Sequence, residues 1–161
     1  MGNAYEANLL WWVIPEVLAG VPMPFIHADR RMAGGGALVD FEDELPVLHS
    51  AGVRAVVPLL NISSDASVYE SAGFWSLCLP VPDGGAPSFD QAEEFVRFVS
   101  QQSSAQRPVA VHCEAGLGRT GPLLATCLVE EGESAPVAIK RVRAAERAAV
   151  ETSRQIRFLE R

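Results

Sequence analysis

Apolar residues follow two different rhythms along this chain. Three short and nearly unbroken runs, Val53 to Leu60, Trp75 to Leu79 and Pro108 to His112, have the pattern of strands buried on both faces. Elsewhere the spacing lengthens to three or four. Phe89, Ala92, Phe95, Val96 and Val99 fall on one face of a helix. Its start is marked by Ser88, whose hydroxyl can cap the first turn while Gln91 reaches back to close a capping box. A second helix is expected from about Gly121 to Glu131, with Pro122 in its tolerant first turn and Gly132 closing it. Two more are expected over Ala135 to Arg147 and Thr152 to Arg161. Strands alternating with helices predict an α/β fold with a central, mainly parallel twisted sheet flanked by helices.

The first 40 residues are less regular. Prolines 15, 22 and 24 and the run Gly34-Gly35-Gly36 leave room for a short edge strand near Val13 to Leu18, followed by irregular loop. No repeat, linker or low-complexity block marks a second unit, so residues 1–161 are expected to form one domain. The stretch from Leu9 to Val21 is interrupted by Pro15 and Glu16 and lacks a cationic leader, so neither a signal peptide nor a membrane span is expected.

Composition narrows the function. With 48% apolar and 20% charged residues the chain has the makings of a packed core. A net charge of −7 argues against a nucleic-acid partner, because wide polyanion binding needs many lysines and arginines to replace counterions. Any phosphate must therefore be captured locally. Cysteines at 78, 113 and 127 are too few and too scattered for a disulfide framework or a paired zinc site, which fits a reducing cytoplasm. Cys78 and Cys127 read as buried, inert thiols.

Local capture is what residues 112–120 offer. The strand ending at His112 runs into Cys113-Glu114-Ala115-Gly116-Leu117-Gly118-Arg119 and then straight into a helix at Thr120. Backbone N–H groups of such a turn can converge on an anion, and the helix N-terminus adds its dipole and unsatisfied donors. Gly116 and Gly118 permit the close backbone approach. Cys113 stands at the start of this loop as a nucleophile in the thiolate form. Arg119, six residues on, can hold two phosphate oxygens with its planar fork and strengthen that grip in the transition state. Thr120 can donate its hydroxyl to the cysteine sulfur and ease its departure. His112 is expected to orient loop carbonyls rather than to move protons.

An ester leaving group also needs a proton. Asp83, in Pro80-Val81-Pro82-Asp83-Gly84-Gly85, is the candidate acid, and the two glycines would let it swing over a bound substrate. Asp65 and Asp90 are rivals left on the surface.

Cys113-x5-Arg119-Thr120 preceded by His112 resembles the signature of protein tyrosine and dual-specificity phosphatases. Val81-Pro82-Asp83, about thirty residues upstream, is similar to the general-acid loop of the small atypical dual-specificity members. The likeness runs from about Trp12 to the C-terminus and includes Glu151-Thr152…Gln155, where some relatives use a glutamine to position water. It implies two-step phosphomonoester hydrolysis through a phosphocysteine, with no metal or other cofactor, on a phosphorylated protein or a small aryl phosphate. Where phosphoinositide-directed relatives carry lysines, this chain has Glu114 and Leu117, so phosphotyrosine is favoured over highly charged lipids.

Competing readings stay beside these. Gln155 stands at the third position of a helix that Thr152 would cap, so a second capping box accounts for it equally well. Lys140, Arg141, Arg143 and Arg147 read as a solvated helix face. His27 and His49 read as surface residues, and Trp11 and Trp12 as packing. A phospho-binding module without turnover, and oxyanion thiol chemistry of arsenate-reductase or sulfurtransferase type, are the alternatives to a phosphatase. A redox partnership of Cys113 with Cys78 or Cys127 is a further hypothesis.

Overall fold

The computed structural model describes residues 10–21, 45–59, 65–82, 85–113, 120–146, 149–150 and 153–160. They form a five-stranded sheet in the order β1-β2-β5-β3-β4: β1 (Trp11–Ile14), β2 (Leu18–Gly20), β3 (Ala55–Pro58), β4 (Trp75–Ser76) and β5 (Val109–His112). Only the β1–β2 pair is antiparallel; β2–β5, β5–β3 and β3–β4 are parallel. The helices are α1 (Asp65–Ser71), α2 (Phe89–Ser104), α3 (Thr120–Glu130), α4 (Ala135–Ala145) and α5 (Ser153–Leu159), and residues 45–50 are also helical. The expected α/β architecture with a mainly parallel sheet is thus present.

The two central strands are buried along their whole length, as their unbroken apolar sequences require. Side chains alternate between the faces. Ala55, Val57, Val109 and Val111 join a core with residues of α2, α3, α4 and α5. Val56 and Ala110 point the other way, into a smaller core with Leu45, Leu48, Tyr69 and Phe74. Ser88 caps α2 with both bonds of its capping box in place, and Gly132 closes α3 at φ 105.

Three expectations need correction. The single edge strand over Val13 to Leu18 is a hairpin, β1 and β2, turned at residues 15–17 with Glu16 at φ 61. Pro15, which has no N–H to give, sits in that turn rather than in a ladder. The run Trp75 to Leu79 is not a strand buried on both faces. Only Trp75 and Ser76 pair as a strand, at the sheet edge, and Trp75 is 54% exposed with the Arg107 guanidinium 4.1 Å above its ring. The chain nonetheless keeps step with β3, through Leu79 N–H to Pro58 O and Val81 N–H to Leu59 O, until it reaches Pro82. Phe89, finally, lies off the buried face of α2, 55% exposed and stacked on Phe158 at 5.2 Å.

Two core positions give direct tests. The Trp11 ring lies across Gly20 and occupies the space a Cβ would need. Gly20→Ala should therefore cost ~1–3 kcal/mol, read as a lower urea midpoint with an unchanged slope. Cys127 on α3 is buried, and burial, with lesser pushes from Glu131 and Glu130, raises its thiol from 9.0 to about 12. The folded state thus holds a proton that the unfolded chain releases first. Its contribution to stability is complete below the unfolded value of 9.0 and lost as pH rises toward about 12. Cys127 should resist iodoacetamide in the folded protein and react once urea unfolds it, as mass spectrometry would show.

Candidate active site

In a parallel sheet the chain leaves every strand at the same end, and there the candidate residues gather. β5 delivers His112 and Cys113 to that end. Leu59 N–H donates to His112 O at 2.9 Å, holding the tip of β3 against it. Alternation then separates the two neighbours. Cys113 turns to the face of the larger core and is 3% exposed, while His112 turns to the face of α1.

The first residue of α3 meets the cysteine. Thr120, fully buried, directs its hydroxyl to Cys113 Sγ at 3.3 Å. This bond spans the ends of a loop whose residues Glu114, Ala115, Gly116, Leu117, Gly118 and Arg119 lie outside the described residues. On the other face, His112 Nδ1 is 3.2 Å from Cys113 O and Nε2 is 2.6 Å from the Tyr69 hydroxyl. A carbonyl can only accept, so Nδ1 carries a proton, and in the neutral ring Nε2 accepts from Tyr69. Sequence reading missed Tyr69. The only available signal was indirect: a histidine in a buried strand needs polar partners, but spacing does not say which element supplies them.

Asp83 and Gly84 also lie outside the described residues, but both flanks of the pair are described. Gly85 N–H donates to Pro82 O at 2.9 Å. Gly85 is buried, and a Cβ there would stand 3.0 Å from Pro82 O. The glycine therefore serves close packing, which corrects the expectation that it loosens a swinging loop.

Gln155 is fully buried on α5, and its side-chain amide donates to Gly85 O at 3.1 Å across seventy residues of sequence. Its expected capping partner Thr152 lies outside the described residues, as do Glu151, His27 and Arg147. Arg143 is not simply part of a solvated face. It reaches back from α4 to donate to Ala149 O at 3.1 Å and Val150 O at 2.7 Å. Val150 is a β-branched residue at φ 60, a strained conformation that those bonds and its burial hold in place. Gly121 allows the approach, since a Cβ there would lie 2.7 Å from Val150 N. The start of α3 and the segment leading into α5 are thereby locked together.

Of the other candidates, Asp90 and His49 are exposed, the latter edge-on to Phe74 at 6.2 Å. Trp11 packs in the core. Cys78 is half-buried, and Cys127 keeps its proton.

The family described as "Polymorphic toxin system, DSP-PTPase phosphatase" matches residues 32–133. The mouse dual specificity protein phosphatase CDC14B is 32% identical over 119 residues, covering 74% of this chain and 24% of that protein. Human protein tyrosine phosphatase type IVA 3 is 32% identical over 116 residues, covering 71% of this chain and 66% of that protein. The chain thus spans a quarter or less of the CDC14 proteins and under two thirds of a slime-mould type IVA relative. Among solved structures, Tk-PTP in the active form superposes with a TM-score of 0.72 at 26% identity, over 95% of this chain and 97% of its own. PTPMT1 in complex with PI(5)P shares the fold, with a TM-score of 0.74 at 17% identity over 95% and 93% of the two chains. The chain belongs to the DSP-PTPase phosphatase family of polymorphic toxin systems, within the cysteine-based tyrosine and dual-specificity phosphatases.

Proposed function

We propose that this protein hydrolyses phosphomonoesters on phosphorylated proteins, phosphotyrosine first among them, through a phosphocysteine on Cys113. The observation that carries the reading is the Thr120 hydroxyl on Cys113 Sγ, at the point where a buried parallel strand gives way to a helix N-terminus. An inert buried cysteine needs no such donor. A sulfur that must leave as an anion does.

In the first step the Cys113 thiolate attacks phosphorus and the bond from phosphorus to the ester oxygen breaks. Asp83 gives its proton to that oxygen, and Arg119 with the loop amides of 114–118 holds the three equatorial oxygens. In the second step the Asp83 carboxylate takes a proton from water, the water oxygen bonds to phosphorus, and the sulfur–phosphorus bond breaks. Thr120 stabilises the returning thiolate. His112, held by Tyr69, fixes the Cys113 carbonyl at the loop's entrance, so the thiol and the first loop amide keep their aim.

The fold alone does not choose the substrate, since PTPMT1 carries a phosphoinositide on the same architecture. The loop side chains do. Glu114, next to the nucleophile in sequence, gives the loop a negative charge that disfavours polyphosphorylated head groups, whereas an aryl phosphate brings one dianion and an apolar ring. The dependence on a free thiol points to work in a reducing cytoplasm.

With chelator present, wild type should turn over phosphotyrosine faster than phosphoserine or a phosphoinositide. Cys113→Ser should abolish turnover, and Asp83→Asn should lower it by ~10²–10⁴ on phosphotyrosine. A faster rate on the phosphoinositide would overturn the substrate reading; capture of phosphopeptide without turnover would replace the enzyme with a binding module. Tyr69→Phe, which deletes only the hydroxyl on His112, should cost ~1–3 kcal/mol of stability in urea and lower kcat more than it raises KM.

A further inference from the structure

The segment from Pro80 to Gly85 is held at both ends by side-chain amides, one from the start of α2 just after it and one from α5, seventy residues on. At its start, Gln91 Nε2 donates to Pro80 O at 2.6 Å while the same side chain's Oε1 accepts from Ser88 N–H at 2.9 Å. One residue serves the cap of α2 and the segment together. Val81 N–H is bound to Leu59 O at 2.9 Å, on the strand beside the one that carries Cys113. At its finish, Gly85 N–H closes on Pro82 O at 2.9 Å, and Gln155 Nε2 donates to Gly85 O at 3.1 Å from a fully buried position. The backbone is thus fixed at 80, 81, 82 and 85, with Asp83 and Gly84 between the fixed points.

We propose that Gln155 and Gln91 are positioning residues for proton donation, their amides holding the two flanks of Asp83 so that its carboxyl meets the leaving oxygen. This rests on the phosphatase reading and differs from both sequence readings of Gln155, orienting water and closing a capping box. The chemistry explains why amides serve here. The acid must reach the reaction protonated, and a lysine or arginine holding the same carbonyls would favour the ionised carboxylate. A neutral donor binds a carbonyl without that penalty. Placement also carries weight in rate, because a displacement of about 1 Å in a reacting group costs up to ~10²-fold.

Leaving-group dependence tests the proposal on the full chain. An ester with a basic leaving group, phenyl phosphate, needs the proton; dinitrophenyl phosphate does not. Gln155→Met keeps the volume and removes the donor. Gln91→Glu keeps the oxygen that accepts from Ser88 and sets a second oxygen against Pro80 O. Each variant should lose about tenfold or more in kcat/KM on phenyl phosphate, with a loss at least about fivefold smaller on dinitrophenyl phosphate, because kcat/KM reports the first step, in which only the basic leaving group needs the proton. The basic limb of the phenyl phosphate pH profile should flatten in both. Equal losses in kcat/KM on the two esters, or wild-type kcat/KM on both, would overturn it. Should circular dichroism show Gln155→Met unfolded, Gln91→Glu alone decides. Wild-type turnover without the leaving-group split sinks this proposal only; a Cys113→Ser variant as fast as wild type sinks the phosphatase reading with it.

Discussion

The two-residue alternation of β5 at its buried end is the constraint on which the candidate site depends. With β2 and β3 on either side and helices over both faces, the strand cannot rotate, and successive side chains must go to opposite layers. His112 and Cys113 therefore look in opposite directions, although only one peptide separates them. The thiol meets Thr120 from the larger layer, and the imidazole meets Tyr69 from the smaller. The peptide between them is braced from two sides. A one-residue slip of register would exchange the layers and set the imidazole where the sulfur must be.

That bracing also explains why a site of this kind tolerates polar groups in the core. His112, Thr120 and Gln155 are all fully buried, and burying such groups without partners costs several times what their bonds return. Each makes a bond to another part of the site: the histidine to the cysteine carbonyl, the threonine to the sulfur, the glutamine to the acid-bearing segment. The polar groups are thus a means of registering loops from different regions of the chain against one another. Apolar side chains, whose attraction has no direction, cannot do this.

What the sequence revealed and what it hid follow from the range of the forces involved. The strand before Cys113, the helix at Thr120 and the capping box at Ser88 are local patterns, and they stand where the periodicity puts them. The family signature in residues 112–120 was equally legible, because chemistry demands those residue types within one loop. The failures were of tertiary origin. The apolar letters from Trp75 to Leu79 do not tell an edge from a centre, and Trp75 is accommodated by stacking under Arg107 instead of by burial. Tyr69 acts through a partner forty-three residues away, a distance no short motif records, and Arg143 binds backbone carbonyls six and seven residues on, which any residue type can supply. Gly85 was misread because a glycine signals either freedom or close approach, and only the position of Pro82 O decides between them.

The strain at Val150 bears on the same question of how the site is kept in order. A valine at φ 60 is disfavoured by ~1–3 kcal/mol, so something around it must over-determine the backbone. Arg143 provides two bonds to the carbonyls of 149 and 150, burial removes competing water, and Gly121 lets the segment press on the first turn of α3. That turn holds Thr120, and the segment leads into the helix that holds Gln155. The strained residue thus packs on the turn that carries the donor on the sulfur and belongs to the segment that precedes the helix carrying the donor on the acid-bearing segment. A glycine at 150 would relieve that strain and keep the carbonyls that Arg143 binds, but it would lose the buried side chain that packs against the start of α3. The conformational cost at Val150 is then best understood as part of what keeps Thr120 and Gln155 in a single frame.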